Sequence, residues 1–295
     1  MSRAEPAGRF AGVILLALLS LGGAVAVHAK GESEEREIAR QSWPFTGLRG
    51  QYDRAQLQRG FQIYQQVCSG CHGLKRVRFR NLAEPGGPAF PVDAVKALAV
   101  GWPYQISGEL DEAGNMVDRL PGLADPIIGP YKNDNQARAA QNGALPPDLS
   151  LIVKARSLES HAPWYSHWFW MLWDIARGYQ EGGADYVFAI LTGYSDPPAD
   201  MQVPDGMQYN VAFPGHQLAM APPLGKDNFI EYQADAGAKG SLDQNARDIA
   251  AFLSWTSDSN LDARKRLGWQ VLLYLLVTTL ILYAAKKRVW SGLKH

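Results

Sequence analysis

Apolar positions recur with helical period in two stretches of the chain. Between Asp53 and Cys71, the residues Leu57, Phe61, Tyr64 and Cys68 fall four, three and four apart, which aligns them on one face of a predicted helix. Between Ser241 and Trp255, Leu242, Ala246, Ile249 and Leu253 repeat the same rhythm. Two further stretches are apolar without period. Leu267–Ala285 has 19 residues and no charge, and as a helix it would extend roughly 28 Å, close to the hydrocarbon thickness of a bilayer. Phe10–Ala29 is also uncharged, with Arg3 and Arg9 before it and an apolar centre at Val13–Leu21. Ala24-Val25-Ala26 and Val27-His28-Ala29 offer small residues for cleavage, so residues 1–29 are expected to be a secretory signal rather than a retained anchor. Asn81–Pro130 and Asp196–Gly225 are rich in Gly and Pro and are expected to be irregular loops rather than long helices.

The expected organisation is therefore a signal at 1–29, an exported domain at 30–263, and a C-terminal transmembrane anchor with a short tail at 264–295. Basic triplets, Arg264-Lys265-Arg266 and Lys286-Lys287-Arg288, bracket the anchor, with Trp269, Tyr274, Tyr283 and Trp290 toward its ends. Positive charge on both sides does not orient the helix; an exported N-terminus does, and it leaves the tail in the cytoplasm. Composition adds one asymmetry. The whole chain has 29 basic and 29 acidic residues, but removing 1–29 and 264–295 leaves 20 basic against 28 acidic, a net charge of −8. An acidic exported domain disfavours nucleic acid and favours a basic partner, although the excess also serves solubility.

The chemistry centres on Cys68-Ser69-Gly70-Cys71-His72. This C-x-x-C-H run is the attachment signature of a c-type haem, with two thioethers on the porphyrin and the histidine directed at iron. A thiolate zinc site would need more than the 2 cysteines present, and a redox C-x-x-C would be expected beside a βαβ pattern that the chain lacks. With both cysteines committed to one covalent haem c, no disulfide is available. Candidates for the opposite axial position are His161, His167, His216, Met116, Met171, Met201, Met207 and Met220.

Met220 lies in Phe213-Pro214-Gly215-His216-Gln217-Leu218-Ala219-Met220-Ala221-Pro222-Pro223-Leu224. This loop resembles the axial-methionine loop of cytochrome c1, the haem subunit of the cytochrome bc1 complex. Asn142-Gly143-Ala144-Leu145-Pro146-Pro147-Asp148-Leu149-Ser150, continued by Ile152-Val153-Lys154-Ala155-Arg156, is similar to the family's haem-edge loop. Asp185-Tyr186-Val187-Phe188, Leu191-Thr192-Gly193-Tyr194 and Pro197-Pro198 match its next block. The resemblance runs from about residue 43 to 294. It implies a mainly α, class I cytochrome c-like haem domain with long irregular loops and one C-terminal transmembrane helix. It further implies covalent haem at Cys68 and Cys71, iron ligation by His72 and Met220, and propionate contacts from Arg156 and Tyr186. Asn142, Ala144, Pro146 and Pro147 would shape the pocket wall, and Phe213 and Leu218 would shield the methionine. For Arg156 a plain surface salt bridge, for Tyr186 a core role and for His216 iron ligation are the competing readings.

The implied function is electron relay from the Rieske iron–sulfur protein to a soluble cytochrome c, with cytochrome b as neighbour in a dimeric complex. The setting would be a bacterial inner membrane of a respiratory or photosynthetic chain, the haem domain periplasmic. No catalytic residue is expected in the chain itself. Alternatives are the haem c subunit of another membrane redox complex, or a peroxidase-type haem enzyme, which would need an open sixth position. Two features depart from the family's pattern. Residues 157–180 form an insertion carrying Trp164, Tyr165, Trp168, Phe169, Trp170, Trp173 and Tyr179; packing of a long loop is the favoured reading, and an interface with a subunit or lipid headgroups is the rival. Lys75-Arg76-Val77-Arg78 places basic charge just after the haem motif.

Overall fold

The computed structural model describes residues 38–156, 164–176, 182–225 and 240–292; the expected signal lies outside them. Helix α1, Arg54–Gln66, begins where the Asp53 carboxylate accepts the Gln56 amide at 2.8 Å, and it buries Leu57, Phe61 and Tyr64 as the periodicity requires. Helix α7, Leu242–Ser257, is capped by Ser241, whose hydroxyl accepts from the Gln244 amide at 3.2 Å. (Helices α2 to α6 fall between them.) These two helices cross at Gly60. A Cβ built there would lie 2.2 Å from the Asp248 carbonyl oxygen and 2.6 Å from Phe252 Cβ, so only glycine permits the approach. Phe252 fills the crossing, its ring 5.7 Å from Phe61 and 6.0 Å from Tyr64. Trp255 packs on the Phe252 ring at 5.6 Å and reaches toward Gly87, with Cζ2 2.7 Å from where a side chain there would begin.

Beside the crossing, Asp248 is fully buried and receives two hydrogen bonds from Arg59, at 2.7 and 3.0 Å, and one from Gln244 at 2.8 Å. Removing one partner of such a buried pair costs about 3–5 kcal/mol, since the remaining charge stays desolvated.

The stretch 81–130 holds more regular structure than its Gly and Pro content suggests. Helix α2, Val92–Val100, buries Val95 and Ala99 and ends at Gly101. Strand β1, Leu74–Arg78, pairs antiparallel with the two-residue β4, Pro126–Ile127, while β2, Ile106–Leu110, and β3, Met116–Arg119, form a hairpin. Every sheet among the described residues has only two strands, which keeps the fold mainly α. Helix α3, Asp134–Ala140, starts at an Asn133 cap. The short α4, Ile152–Ala155, and α6, Gly183–Thr192, both pack on α7, and Gly183 lies against the Val153 carbonyl. Asp196–Gly225 is irregular apart from a minimal ladder of β5, Gln208–Tyr209, and β6, Gln217–Leu218.

Within the insertion, α5, His167–Ala176, follows a single turn at Trp164–Ser166. Its aromatic side chains Trp168, Phe169, Trp170 and Trp173 are exposed, while Tyr179 of the same insertion lies outside the described residues.

Helix α8, Leu261–Trp290, runs for 30 residues and is apolar enough to cross a membrane, with none of its central apolar window buried against the rest of the chain. Its first turns are tied to the domain. Lys265 donates to the carbonyls of Phe45 at 2.6 Å and Gly50 at 3.0 Å, Asp262 accepts the Tyr52 amide at 3.3 Å, and Arg49 sits 5.9 Å over the Trp269 ring.

Candidate haem site

Helix α1 stops one residue before the motif, and the chain then tightens into a 3₁₀ turn at Cys68–Gly70. The Cys68 carbonyl accepts from both Cys71 (3.1 Å) and His72 (2.9 Å), while the Ser69 hydroxyl donates back to Gln65 at 2.7 Å. This turn puts the two cysteines on one short segment and directs the next residue away from the helix. The His72 ring is held at Nδ1, 2.7 Å from the Pro147 carbonyl. A carbonyl can only accept, so Nδ1 carries the proton and Nε2 keeps its lone pair for a metal. Burial lowers the His72 pKa, against opposing contributions from the Pro147 carbonyl and Asp148, and favours the neutral ring that iron requires. Tyr64 adds a second brace, its hydroxyl donating to the His72 carbonyl at 3.0 Å.

Cys68 does not have the electrostatics of a redox nucleophile. Burial, with Cys71 second, pushes the Cys68 thiol up to about 12, whereas a catalytic C-x-x-C depresses its nucleophile. Nor do the cysteines read as a zinc site: among the described residues no three His, Cys, Asp or Glu side chains are placed to hold one ion.

Pro147 is positioned by its neighbours. The Asp148 carboxylate accepts the Lys75 amide at 2.8 Å and the Ser150 amide at 3.0 Å, and Leu149 donates to the Gly73 carbonyl at 3.0 Å. Upstream, Asn142 (φ 50°) and Gly143 (φ 88°) reverse the chain, and Ala144 closes the turn onto Gln141 at 2.9 Å. Gln141 donates to the Tyr131 hydroxyl at 2.6 Å and approaches Cys71 Sγ at 3.7 Å. Pro146 lines a cavity of about 50 Å³ together with Cys71, Lys75 and Tyr131. Gly129 abuts the same backbone, since a Cβ there would come within 2.9 Å of Gly73 N and 3.1 Å of the His72 carbonyl carbon.

The methionine loop hangs from α6. Just beyond that helix the Tyr194 hydroxyl donates to the Met220 carbonyl at 3.0 Å. Asn210, fully buried, holds the loop's inner side: its amide nitrogen donates to Ile190 at 2.7 Å and its side-chain oxygen accepts from Ala212 at 3.0 Å. His216 adopts φ 59°, its Nδ1 3.2 Å from the Asn210 carbonyl and its ring 5.6 Å from Tyr209, so it has a bracing role within the loop. Leu218 sits opposite Gln208 in the β5–β6 ladder, and Phe213 closes a turn onto Asn210 at 3.4 Å; both are half-buried, as is Met220.

Arg156 and Tyr186 are brought together. Burial raises the Tyr186 pKa, and the positive charge of Arg156 opposes the rise. Arg156 is exposed at the end of α4 and Tyr186 half-buried on α6. The expected site residues thus fall into three groups: the motif with Asn142, Ala144, Pro146 and Pro147, the Met220 loop, and the Arg156–Tyr186 pair. Helices α1, α4 and α6, which carry or adjoin them, all pack on α7.

Sequence reasoning passed over Tyr64, Gly129, Gln141, Asp148, Tyr194 and Asn210 as supports. Tyr64, Asp148 and Tyr194 carried a signal, the first as a polar ring on the buried face of α1, the second beside Pro147 and the third within the Leu191–Tyr194 block; the others act through contacts that span up to 70 positions of chain.

Two thiols at thioether spacing, a proximal imidazole with one nitrogen already engaged and a mainly helical support define a c-type cytochrome domain. A sequence model described as the Cytochrome C1 family matches residues 43–293, and the chain belongs to that family. It is 45% identical over 254 residues to a cytochrome c1 of Blastochloris viridis, covering 86% of each chain. It is 42% identical over 250 residues to a protein of Bradyrhizobium diazoefficiens named cytochrome b/c1, covering 84% of this chain and 35% of that one. A Candida albicans protein named the mitochondrial cytochrome b-c1 complex catalytic subunit is 38% identical over 255 residues, 86% of this chain and 77% of the relative. Membership implies a haem cofactor, and the donor set fits one.

Proposed function

We propose that this chain is the haem c subunit of a membrane quinol–cytochrome c reductase, passing electrons from a Rieske iron–sulfur protein to a soluble cytochrome c. The observation that carries the reading is the 2.7 Å contact between His72 Nδ1 and Pro147, which presents Nε2 directly after two paired thiols. One haem c would be held covalently by Cys68 and Cys71, with His72 and Met220 as axial ligands. When bound, the haem supplies a one-electron Fe(III)/Fe(II) couple. The chain's residues then set how that couple behaves. Pro147 and Asp148 orient His72, Tyr194 and Asn210 hold the Met220 loop, and Arg156 offsets propionate charge beside Tyr186. Asn142, Ala144, Pro146, Phe213 and Leu218 shape the walls and limit water. No proton transfer or nucleophile is required, because outer-sphere transfer depends on distance, potential and docking.

The names of the relatives support cytochrome b as a neighbour within a bc1 complex, for which a dimeric state belongs to the proposal. The apolar helix α8 supports attachment to a membrane; with an export signal at the N-terminus, the membrane would be a bacterial inner membrane and the haem domain would lie on its periplasmic side. The test is affinity capture of the C-terminally tagged chain from gently solubilised membranes, followed by a dithionite-minus-ascorbate difference spectrum. A haem b band in the captured complex is the expected result. Intact capture without haem b would assign the chain to a different redox complex.

A further inference from the structure

Helix α5 carries six consecutive apolar side chains, Trp168, Phe169, Trp170, Met171, Leu172 and Trp173, each between 45% and 64% exposed. Six successive positions at about 100° apart pass once around a helix and beyond, so every side of this stretch carries an exposed apolar side chain, with His167 and Asp174 at its two ends. No Asp, Glu, Lys or Arg occurs from Trp164 to Trp173. The rings stack on one another, with Phe169 6.4 Å from Trp173, and among the described elements the helix's only substantial contact is the adjoining turn Trp164–Ser166.

The place from which this segment leaves the domain indicates what covers it. Helix α4, which precedes the insertion, is fastened to the root of α8: Lys154 Nζ lies 3.1 Å from the Asp258 carboxylate, and the same carboxylate binds Arg264 at 2.6 Å in the first turn of α8. Ser257 donates to the Ser150 carbonyl at 3.2 Å. The insertion therefore springs from the end of the domain where the membrane helix starts. From Leu261 to Leu267, the first residue of the uncharged run, the helix rises about 9 Å. The chain from Arg156 to Trp164 can span up to about 28 Å, so the bilayer surface is within reach.

We propose that α5 lies in the boundary between headgroups and acyl chains of the same bilayer that α8 crosses, as a second, interfacial contact with lipid. At about 15 Å it is too short to span, and its open ends, four N–H and four C=O groups, need the polar headgroup layer. A folded partner would cover one stripe and leave the other side wet, whereas fluid lipid closes around all sides. Tryptophan and tyrosine, apolar rings with one polar hydrogen, are the side chains that this boundary selects. The consequence is a domain held at two points, which restricts its rotation about the anchor.

The inference rests on α8 crossing a bilayer and is independent of the redox assignment. Leu172→Cys and Trp170→Cys, on opposite faces of α5, are each labelled with nitrobenzoxadiazole in the tagged complex reconstituted into phosphatidylcholine vesicles. Signal from the unsubstituted complex is subtracted, and Glu112→Cys at the hairpin tip serves as the water-exposed control. Both α5 labels should emit blue-shifted light, roughly halved by lipid carrying a nitroxide near the headgroup and less by one near the chain end. Water-like, unquenched emission would overturn the proposal. So would blue-shifted emission that lipid nitroxides do not touch, or quenching on one face alone, since a protein surface would then be the cover. Release of the whole chain by alkaline carbonate would instead refute the anchor itself.

Discussion

At the scale of single residues, the site depends on groups that hold other groups. Asp148 fixes the loop whose Pro147 carbonyl sets the His72 tautomer. Asp148→Ala should leave covalent haem in place but loosen the proximal ring, lowering the midpoint potential and broadening the reduced spectrum; redox titration would show an unshifted midpoint if the brace were incidental. Met220→Leu should change the spectrum and lower the potential more, because the thioether ligation proposed for Met220 favours ferrous iron. Arg156→Gln removes a positive charge near the proposed propionates, which stabilises the ferric state, so the potential should fall. An unchanged or raised potential would leave Arg156 as a surface cation near Tyr186.

At the scale of elements, the α1–α7 crossing has no slack. Gly60→Ala forces a methyl to within 2.2 Å of a backbone oxygen, and the helices must part. A loss of about 1–3 kcal/mol in denaturant unfolding is expected, against less than about 0.5 kcal/mol for an exposed substitution. The loop after β3 depends on pH. Arg119, bonded to Asp125 at 2.5 and 2.8 Å, holds that carboxyl down at about 2, with the Gly122 amide assisting. A depressed carboxylate stabilises the fold fully above its ordinary value and loses that contribution as pH falls toward 2. The stability difference between the native chain and Asp125→Asn should accordingly be largest above pH 4, about 1 kcal/mol for a pair this close to the surface, and shrink below it.

At the scale of the whole molecule, the haem domain and α8 meet through a polar junction of Asp258, Asp262, Arg264 and Lys265. Ending the chain after Asn260 should release a haem-loaded domain into the soluble fraction, and haem staining of fractions would measure it. Much of this molecule was legible along the chain. The motif at Cys68–His72, the faces of α1 and α7 and the apolar run of α8 depend on neighbours three or four positions away, or on length alone, so the sequence by itself determined them. Gly60 at the crossing was legible too, because a small residue on a buried face invites a close partner. Tertiary structure decided what depends on distant segments meeting. The proton on His72 follows from a carbonyl 75 positions away, and the Met220 backbone is held by a hydroxyl 26 positions away. Helix α2 formed between the glycines and prolines of that stretch with Val95 and Ala99 buried, and the β2–β3 hairpin formed through its strand pairing, neither of which the composition announced. The aromatic run of α5 named a need for cover; its exposure, and the tie between Lys154 and Asp258 at the root of α8, came only with the tertiary structure.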